Sequence, residues 1–400
     1  MTGSRADTLI FQVNPDLVRV AGTMKAFLRS EPERTLELTP DTFKLLSFFA
    51  RPRPLTDLLA DPSPDQRSVM DQLVALKLLW VCDPQSGRAQ TPPPQRRPTH
   101  PTFASTPTWF KGQSNEHAIV LLGAPFDNHT LPGYLRGSAF GPRAIRAASS
   151  RFHLAPNLSD GRHSGIVEAE HGRTLAARGT LLDAGDLLLA PGITSQAYFT
   201  ALTGELRQIR ASGARGLMLG GDHSLTLAAI KAFDGQRIGI LHIDAHTDFG
   251  PIRYANDLHH GNVMRHVHER PGVEDIVLCG IRGLQVRPST EVEGHRAYSP
   301  QQWRRLEAEA RANILQPDLP YYVSIDIDAL DPGVAPATSV PEPDGFGLLE
   351  LRELLREILT GVEVIGGDLT ELSGSHPDTE RTAQAGLQLL FELIDLMVQV

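Results

Sequence analysis

Three apolar runs of this chain each close on a tight group of carboxylates and imidazoles, and few folds can accommodate that. Residues 216–219 lead into Gly220-Gly221-Asp222-His223-Ser224, residues 238–243 into Asp244-Ala245-His246-Thr247-Asp248, and residues 321–325 into Asp326-Ile327-Asp328, with Asp331 beyond. An apolar run with a polar end is the pattern of a buried parallel strand that delivers side chains to a site at its carboxyl edge. In an extended chain residues two apart share a face, so the spacings Asp-x-His-x-Asp and Asp-x-Asp aim their side chains at one place.

Six ligand-type groups arise this way: His223, Asp244, His246, Asp248, Asp326 and Asp328. A lone Asp-x-His is more often a capped turn than a ligand pair. Four carboxylates at buried strand ends, however, would repel one another and lose hydration unless cations joined them. A set rich in oxygen with borderline nitrogen suits Mn²⁺, and after it Ni, Co, Fe or Zn. Six groups are too many for one ion with open positions, whereas two ions about 3.5 Å apart use them naturally.

The rest of the chain supports an α/β reading. Apolar runs at 118–122, 216–219, 238–243, 276–278, 321–327 and 362–366 alternate with amphipathic stretches, as repeated βα units require. A proline-rich stretch at 91–110, with Pro92, Pro93, Pro94, Pro98, Pro101 and Pro107, reads as a linker. It separates residues 1–90 from residues 111–400. The front segment reads as short strands, then helices near 39–49, 55–59 and 66–76, then a strand at 78–81, a winged-helix-like α+β order. Winged helices often bind DNA, but this segment holds eleven Lys and Arg against eleven Asp and Glu, a poor match to a phosphate backbone. A peptide partner fits better than nucleic acid, and a structural or dimerising extension is the plain alternative.

Composition removes other classes. Two cysteines, Cys82 and Cys279, build no disulfide framework and suit a reducing compartment. No stretch approaches the ~20 apolar residues of a membrane span, and the start lacks a basic region followed by an apolar run, so a cytoplasmic location is expected.

The combined motifs resemble the arginase and agmatinase family, the ureohydrolases. The matches also include Gly123-Ala124-Pro125-Phe126-Asp127, Gly137 with Gly141-Pro142-Arg143-Ala144-Ile145-Arg146, and Ser324 through Pro332. The resemblance implies a three-layer arginase-like α/β domain with a central, mostly parallel sheet, two Mn²⁺ per subunit and a homo-oligomer. It would put His223 and Asp248 on one metal and His246 and Asp328 on the other, with Asp244 and Asp326 bridging. Cations held there would supply the hydroxide that attacks a planar guanidinium carbon and releases urea. The family pattern would further have Asp248 orient the nucleophile, His260 shuttle the proton, with His259 competing for that role, and Glu371 pair with the guanidinium.

Departures from the family bear on substrate. Enzymes of free arginine carry a polar residue where this chain has Gly250, and acidic residues after the Gly-x-Arg that here reads Gly280-Ile281-Arg282-Gly283-Leu284. Ser339-Val340 stand where Gly-Thr is common, which removes a hydroxyl from beside the guanidinium. The front segment resembles the elements that hold leader peptides in ribosomal peptide modification. Together these favour arginine side chains within a precursor peptide as substrate, giving ornithine residues. An agmatinase or guanidino-acid hydrolase acting on a free small molecule is the alternative, and a non-catalytic binding module on the same scaffold is the alternative of another class.

Overall fold

The computed structural model describes residues 10–13, 17–19, 25–28, 31–49, 53–54, 57–58, 66, 69–70, 73, 78–82, 96–97, and 102–398 apart from 112–117, 132, 155–164, 177–179, 189–193, 254–256 and 285–294. They form two compact units, residues 1–95 with 188–198 and residues 96–187 with 199–400.

The front unit contains β1 (Ile10–Val13), β2 (Leu17–Arg19), β3 (Lys25–Leu28), β4 (Glu31–Glu37), β5 (Arg53–Pro54) and β6 (Leu79–Cys82). β2, β3 and β4 make an antiparallel meander, and β1 pairs between β5 and β6. The helix Pro40–Phe48 begins where sequence places it, because Thr39 accepts a hydrogen bond from the Thr42 amide and Pro40 opens the first turn. Leu46 and Phe49 are buried. The other two helices expected here lie mostly outside the described residues, as do the winged-helix arrangement and its peptide-binding role.

The larger unit holds β7 (Arg96–Arg97), β8 (Ala118–Gly123), β9 (Ile166–Val167), β10 (Thr174–Leu175), β11 (Thr180–Leu187), β12 (Arg215–Leu219), β13 (Ile238–Ile243), β14 (Val273–Cys279), β15 (Arg296–Tyr298), β16 (Tyr321–Asp326) and β17 (Val364–Thr370). β9 and β10 form a separate hairpin. The rest form one sheet in the order β15-β14-β13-β16-β17-β12-β8-β11-β7, parallel throughout except for β7 at one edge. β8, β13 and β16 are buried along their whole length, as strands covered by helices on both faces must be. The helix Thr379–Met397 packs on β17 and on the helices Gly141–Ser149 and Leu348–Leu359, while Val263–His268 reaches β14. Among the described residues no helix is long and apolar enough to cross a membrane.

Three features differ from the sequence reading. Arg96–Arg97, within the proline-rich stretch, pairs with β11, and Thr108 bridges to Asp183. β17 runs on past 366 through Gly367 and Asp368, because Asp368 finds partners inside the fold. β11, Thr-Leu-Leu-Asp-Ala-Gly-Asp-Leu, carries two acids and a glycine and gives no strand signal. It is a strand because the buried Arg146 guanidinium meets Asp183 at 2.8 Å through two nitrogens.

The order of strands decides where the site lies. β12, β13, β16 and β17 are consecutive at the middle of the sheet, although β16 and β17 come late in the chain and insert between β12 and β13. All four present their carboxyl ends at the same edge.

Candidate metal and catalytic centre

The glycines before Asp222 are required by close approach. A Cβ on Gly221 would lie 1.8 Å from the Phe126 carbonyl oxygen, and one on Gly220 would meet Thr370 at 2.7 Å. The chain therefore leaves β12 pressed against two neighbouring segments, with the Asp222 amide donating to Phe126 at 2.8 Å. Asp222 then caps the next turn through Ser224 and holds the His129 amide at 2.9 Å, which delivers His223 into the interior.

Around His223 the structure brings the expected groups together. Its Nδ1 lies 3.0 Å from Asp244 Oδ2, 3.1 Å from Asp248 Oδ2 and 3.2 Å from Asp326 Oδ2. His246 Nδ1 lies 3.4 Å from Asp244 Oδ1 and 3.2 Å from Asp328 Oδ2. Three of the carboxylates share one device, in which a backbone amide pins one oxygen while the other turns inward. Asp244 Oδ1 accepts from the His246 amide at 2.6 Å, Asp326 Oδ1 from Asp328 at 2.9 Å, and Asp328 Oδ1 from Ala245 at 3.1 Å. Asp248 reaches the cluster from a left-handed backbone, φ 52°, and the Asp248–Gly250 turn is held by amides and a guanidinium from Met264 and Arg265.

His223 also has a defined tautomer. Ser324 donates to Asp368 Oδ1 at 2.7 Å, so its oxygen is left to accept from His223 Nε2 at 2.9 Å. Tyr322 and Thr226 donate to the other Asp368 oxygen. With one proton on Nε2, Nδ1 is the atom that a cation would take; without a cation, burial opposes charge on the imidazole but Asp244, Asp248 and Asp326 outweigh it and raise His223 well above the usual histidine range. Nδ1 of His223, Oδ2 of Asp244 and Nε2 of His246 are buried without a hydrogen-bond partner, although the first two are only 3.0 Å apart, since they are not aligned to bond each other.

The electrostatics agree. Burial and then the neighbouring carboxylates Asp328 and Asp244 push Asp326 well above the usual carboxylate range. Burial and Asp244 likewise push Asp328 up to about 6. Burial opposes charge on His246, yet Asp328 and Asp244 outweigh it and raise the imidazole to about 12. A metal-free cluster is thus tolerable only by holding extra protons, which divalent cations would displace. Two groups have ligand atoms within 4.8 Å of one another, His223-His242-Asp244 and Asp244-His246-Asp328, and they share Asp244. Orphaned lone pairs and crowded carboxylates fit divalent cations.

Glu371 and His260 meet beside this cluster. Glu371 sits at the end of β17 with φ 61°. Its Oε1 accepts from the His223 amide at 2.8 Å and its Oε2 from the Ser339 hydroxyl at 2.6 Å. The hydroxyl that sequence comparison treated as lost at 339–340 is therefore present one position early, bonded to Glu371. His260 Nδ1 lies 3.4 Å from Glu371 Oε1. Burial works against charge on His260, but Glu371, with Asp248 and Asp222, raises it to about 8. His259, the competing histidine, is lowered by burial and does not contact Glu371 through any described bond.

Sequence reasoning passed over Asp222, His242, Ser324 and Asp368. His242 stacks on His223 with ring centroids 5.1 Å apart and contacts the His246 carbonyl at 3.1 Å. Its position two before Asp244 was a usable signal, since both face one side of β13. Asp368 carried none, because its partners come from β16 and the turn after β12. Cys279 is an inert core thiol, pushed up to about 12 by burial.

Comparison with known proteins accords with this geometry. The model of the arginase family matches residues 117–395. Proclavaminate amidinohydrolase of Streptomyces clavuligerus is 31% identical over 311 residues, covering 73% of this chain and 94% of the relative. Its solved structure superposes with a TM-score of 0.63 at 29% identity, covering 77% of this chain and 99% of that one. Guanidinopropionase of Pseudomonas aeruginosa is 30% identical over 316 residues, covering 75% and 94%. With its fold, its motifs and its relatives in agreement, the chain belongs to the arginase family and is a hydrolase of guanidino groups.

Proposed function

We propose that the enzyme hydrolyses a small, free guanidino compound to urea and the matching amine, at a pair of divalent cations held by His223, Asp244, His246, Asp248, Asp326 and Asp328. The observation that carries the cation pair is the shared device of Asp244, Asp326 and Asp328, each with one oxygen pinned by an amide and one turned inward beside His223 or His246. Asp244, common to both candidate groups, would bridge. The oxygen-rich set makes Mn²⁺ the first metal to test. Cations held there would acidify water so that a hydroxide nucleophile exists near neutral pH.

The chain's own residues supply the rest. Glu371, locked by the His223 amide and Ser339, offers its charge to the planar guanidinium and fixes the carbon beside the cluster. His260 keeps its Nδ1 toward Glu371, so the proton on Nε2 is the one available to the departing amine as the C–N bond breaks. Water contributes the oxygen that becomes the urea carbonyl.

Relatives named for proclavaminate, guanidinopropionate, guanidinobutyrate and agmatine favour a small substrate over peptidyl arginine. Position 250 points the same way. A Cβ there would lie 2.5 Å from the Gly261 carbonyl oxygen, so no side chain can grow from it to bind an amino-acid head group.

The test is urea release by Mn²⁺-loaded protein from free arginine, agmatine, 4-guanidinobutyrate and arginine-containing peptides. Turnover of small guanidines and not of peptides is expected. Turnover confined to peptides would overturn the small-substrate reading and restore the precursor peptide as substrate.

A further inference from the structure

Ser339 is placed by the backbone bonds of its neighbours. In the turn that carries it, the Ala337 amide donates to the buried Thr382 hydroxyl at 3.0 Å, and the Ala337 carbonyl accepts from the Ser373 amide at 2.8 Å. Ser373 lies two residues past Glu371, so the turn is tied to the strand end that delivers that carboxylate.

Ser339 and Glu371 are both buried, and the hydroxyl lies 2.6 Å from Glu371 Oε2. Burial works against charge on Glu371, yet His260, Ser339 and the His223 amide hold its carboxyl below the usual carboxylate range. An ionised carboxylate only accepts, so Ser339 is the donor. A hydroxyl has one proton and two lone pairs, and Ser339 therefore keeps acceptor capacity after bonding Glu371. On the carboxylate, Oε1 is met by the His223 amide at 2.8 Å and by His260 Nδ1 at 3.4 Å, which leaves Oε2 the less occupied oxygen. A guanidinium presents its N–H groups in pairs, side by side in one plane. Oε2 and the Ser339 oxygen, 2.6 Å apart, are spaced much like the two oxygens of a single carboxylate and can take such a pair.

We propose that Ser339 binds the substrate directly, accepting an N–H from a terminal nitrogen of the guanidinium while it donates to Glu371, and that it thereby selects guanidines whose terminal nitrogens are unsubstituted. The inference rests on the reading of Glu371 as the guanidinium partner and specifies which guanidines that partner takes. A methyl directed from the terminal nitrogen at Ser339 would replace the N–H that the hydroxyl accepts and would meet the hydroxymethyl group. A glycine at 339 would impose neither restriction.

The experiment uses the Mn²⁺-loaded full-length enzyme with agmatine and 4-guanidinobutyrate, and with the N′,N″-dimethyl derivative of each, in which no rotation of the guanidinium brings an NH2 group to Ser339. The derivatives are read as inhibitors of urea release from the parent compounds, so they need not be turned over. The wild type is expected to bind the parents more tightly than the derivatives. Ser339→Ala, which removes the hydroxyl alone, should raise KM for the parents about tenfold or more, with a smaller change in kcat. Ser339→Gly, which also opens the space, should lower severalfold the ratio of the derivative's inhibition constant to the parent's KM. Mn²⁺ affinity by calorimetric titration should match the wild type in both variants. Parent and derivative weakened alike, with the ratio intact, would show that Ser339 acts only by orienting Glu371 and would overturn the proposal, as would an unmoved KM or a loss of Mn²⁺ affinity. The small-substrate reading fails separately, if the wild type releases urea from peptides alone; the same variants are then compared on peptides carrying arginine or symmetric dimethylarginine. Failure of every guanidine to release urea would remove the role of Glu371, and the proposal with it.

Discussion

Glu371 and Asp248 both occupy the left-handed region, at φ 61° and 52°, where a non-glycine residue costs about 1–2 kcal/mol. Asp tolerates it better than Glu, and the surroundings over-determine Glu371 through Ser339, the His223 amide and a backbone bond to Gly221. That strain turns the carboxylate toward His260. Because His260 is raised to about 8, its proton-bearing form persists to that pH and is lost above it. A step that needs this proton will slow as pH rises through about 8. His260→Asn should therefore lower kcat about a hundredfold or more and abolish the alkaline limb of the pH–rate profile; an unchanged limb would assign the proton to another group. Ser324→Ala removes the acceptor that sets the His223 tautomer. Metal affinity should fall about 10–100-fold, measured by calorimetric titration of Mn²⁺, with kcat at saturating metal less affected.

At the scale of elements, the turn after β12 depends on backbone meeting backbone, and this gives one substitution opposite signs in two places. Gly221→Ala would drive a methyl into the Phe126 carbonyl at 1.8 Å, where nothing flexible can yield. It should cost about 3 kcal/mol or more and displace His223, read as a lowered Tm together with lost metal binding. Gly204→Ala, in the helix Ser195–Ala211, meets nothing within 4 Å. It should stabilise by about 0.5–1 kcal/mol, a rise in Tm with unaltered metal binding. Equal effects from the two would show that the turn is slack.

Across the whole molecule, a buried ionic network away from the centre joins the β9–β10 hairpin to two late helices. Glu392, fully buried on Thr379–Met397, has Arg173, Arg352 and Arg356 within 2.9–3.2 Å, and Arg173 and Arg352 also meet Glu168. Removing the central anion leaves Arg356 without its carboxylate and Arg173 and Arg352 sharing Glu168 alone. Glu392→Ala should cost about 3–5 kcal/mol in denaturant unfolding, without changing KM for the substrate; a neutral outcome would mean the arginines find solvent.

What the chain alone determined were the elements with strong local signals and the groups they carry. Continuous apolar runs such as Ile238–Ile243 can only be buried, so their strands and the ligand-type residues at their ends were legible, as was the helix begun by Thr39. Only the tertiary structure decided which partners those groups meet. β11 is a strand because Arg146, far away in sequence, neutralises Asp183, and Asp368 matters because β16 lies beside β17. Local pattern reports burial and periodicity, whereas the pairing of buried charges depends on chain closure between distant segments, and no short window of sequence contains it.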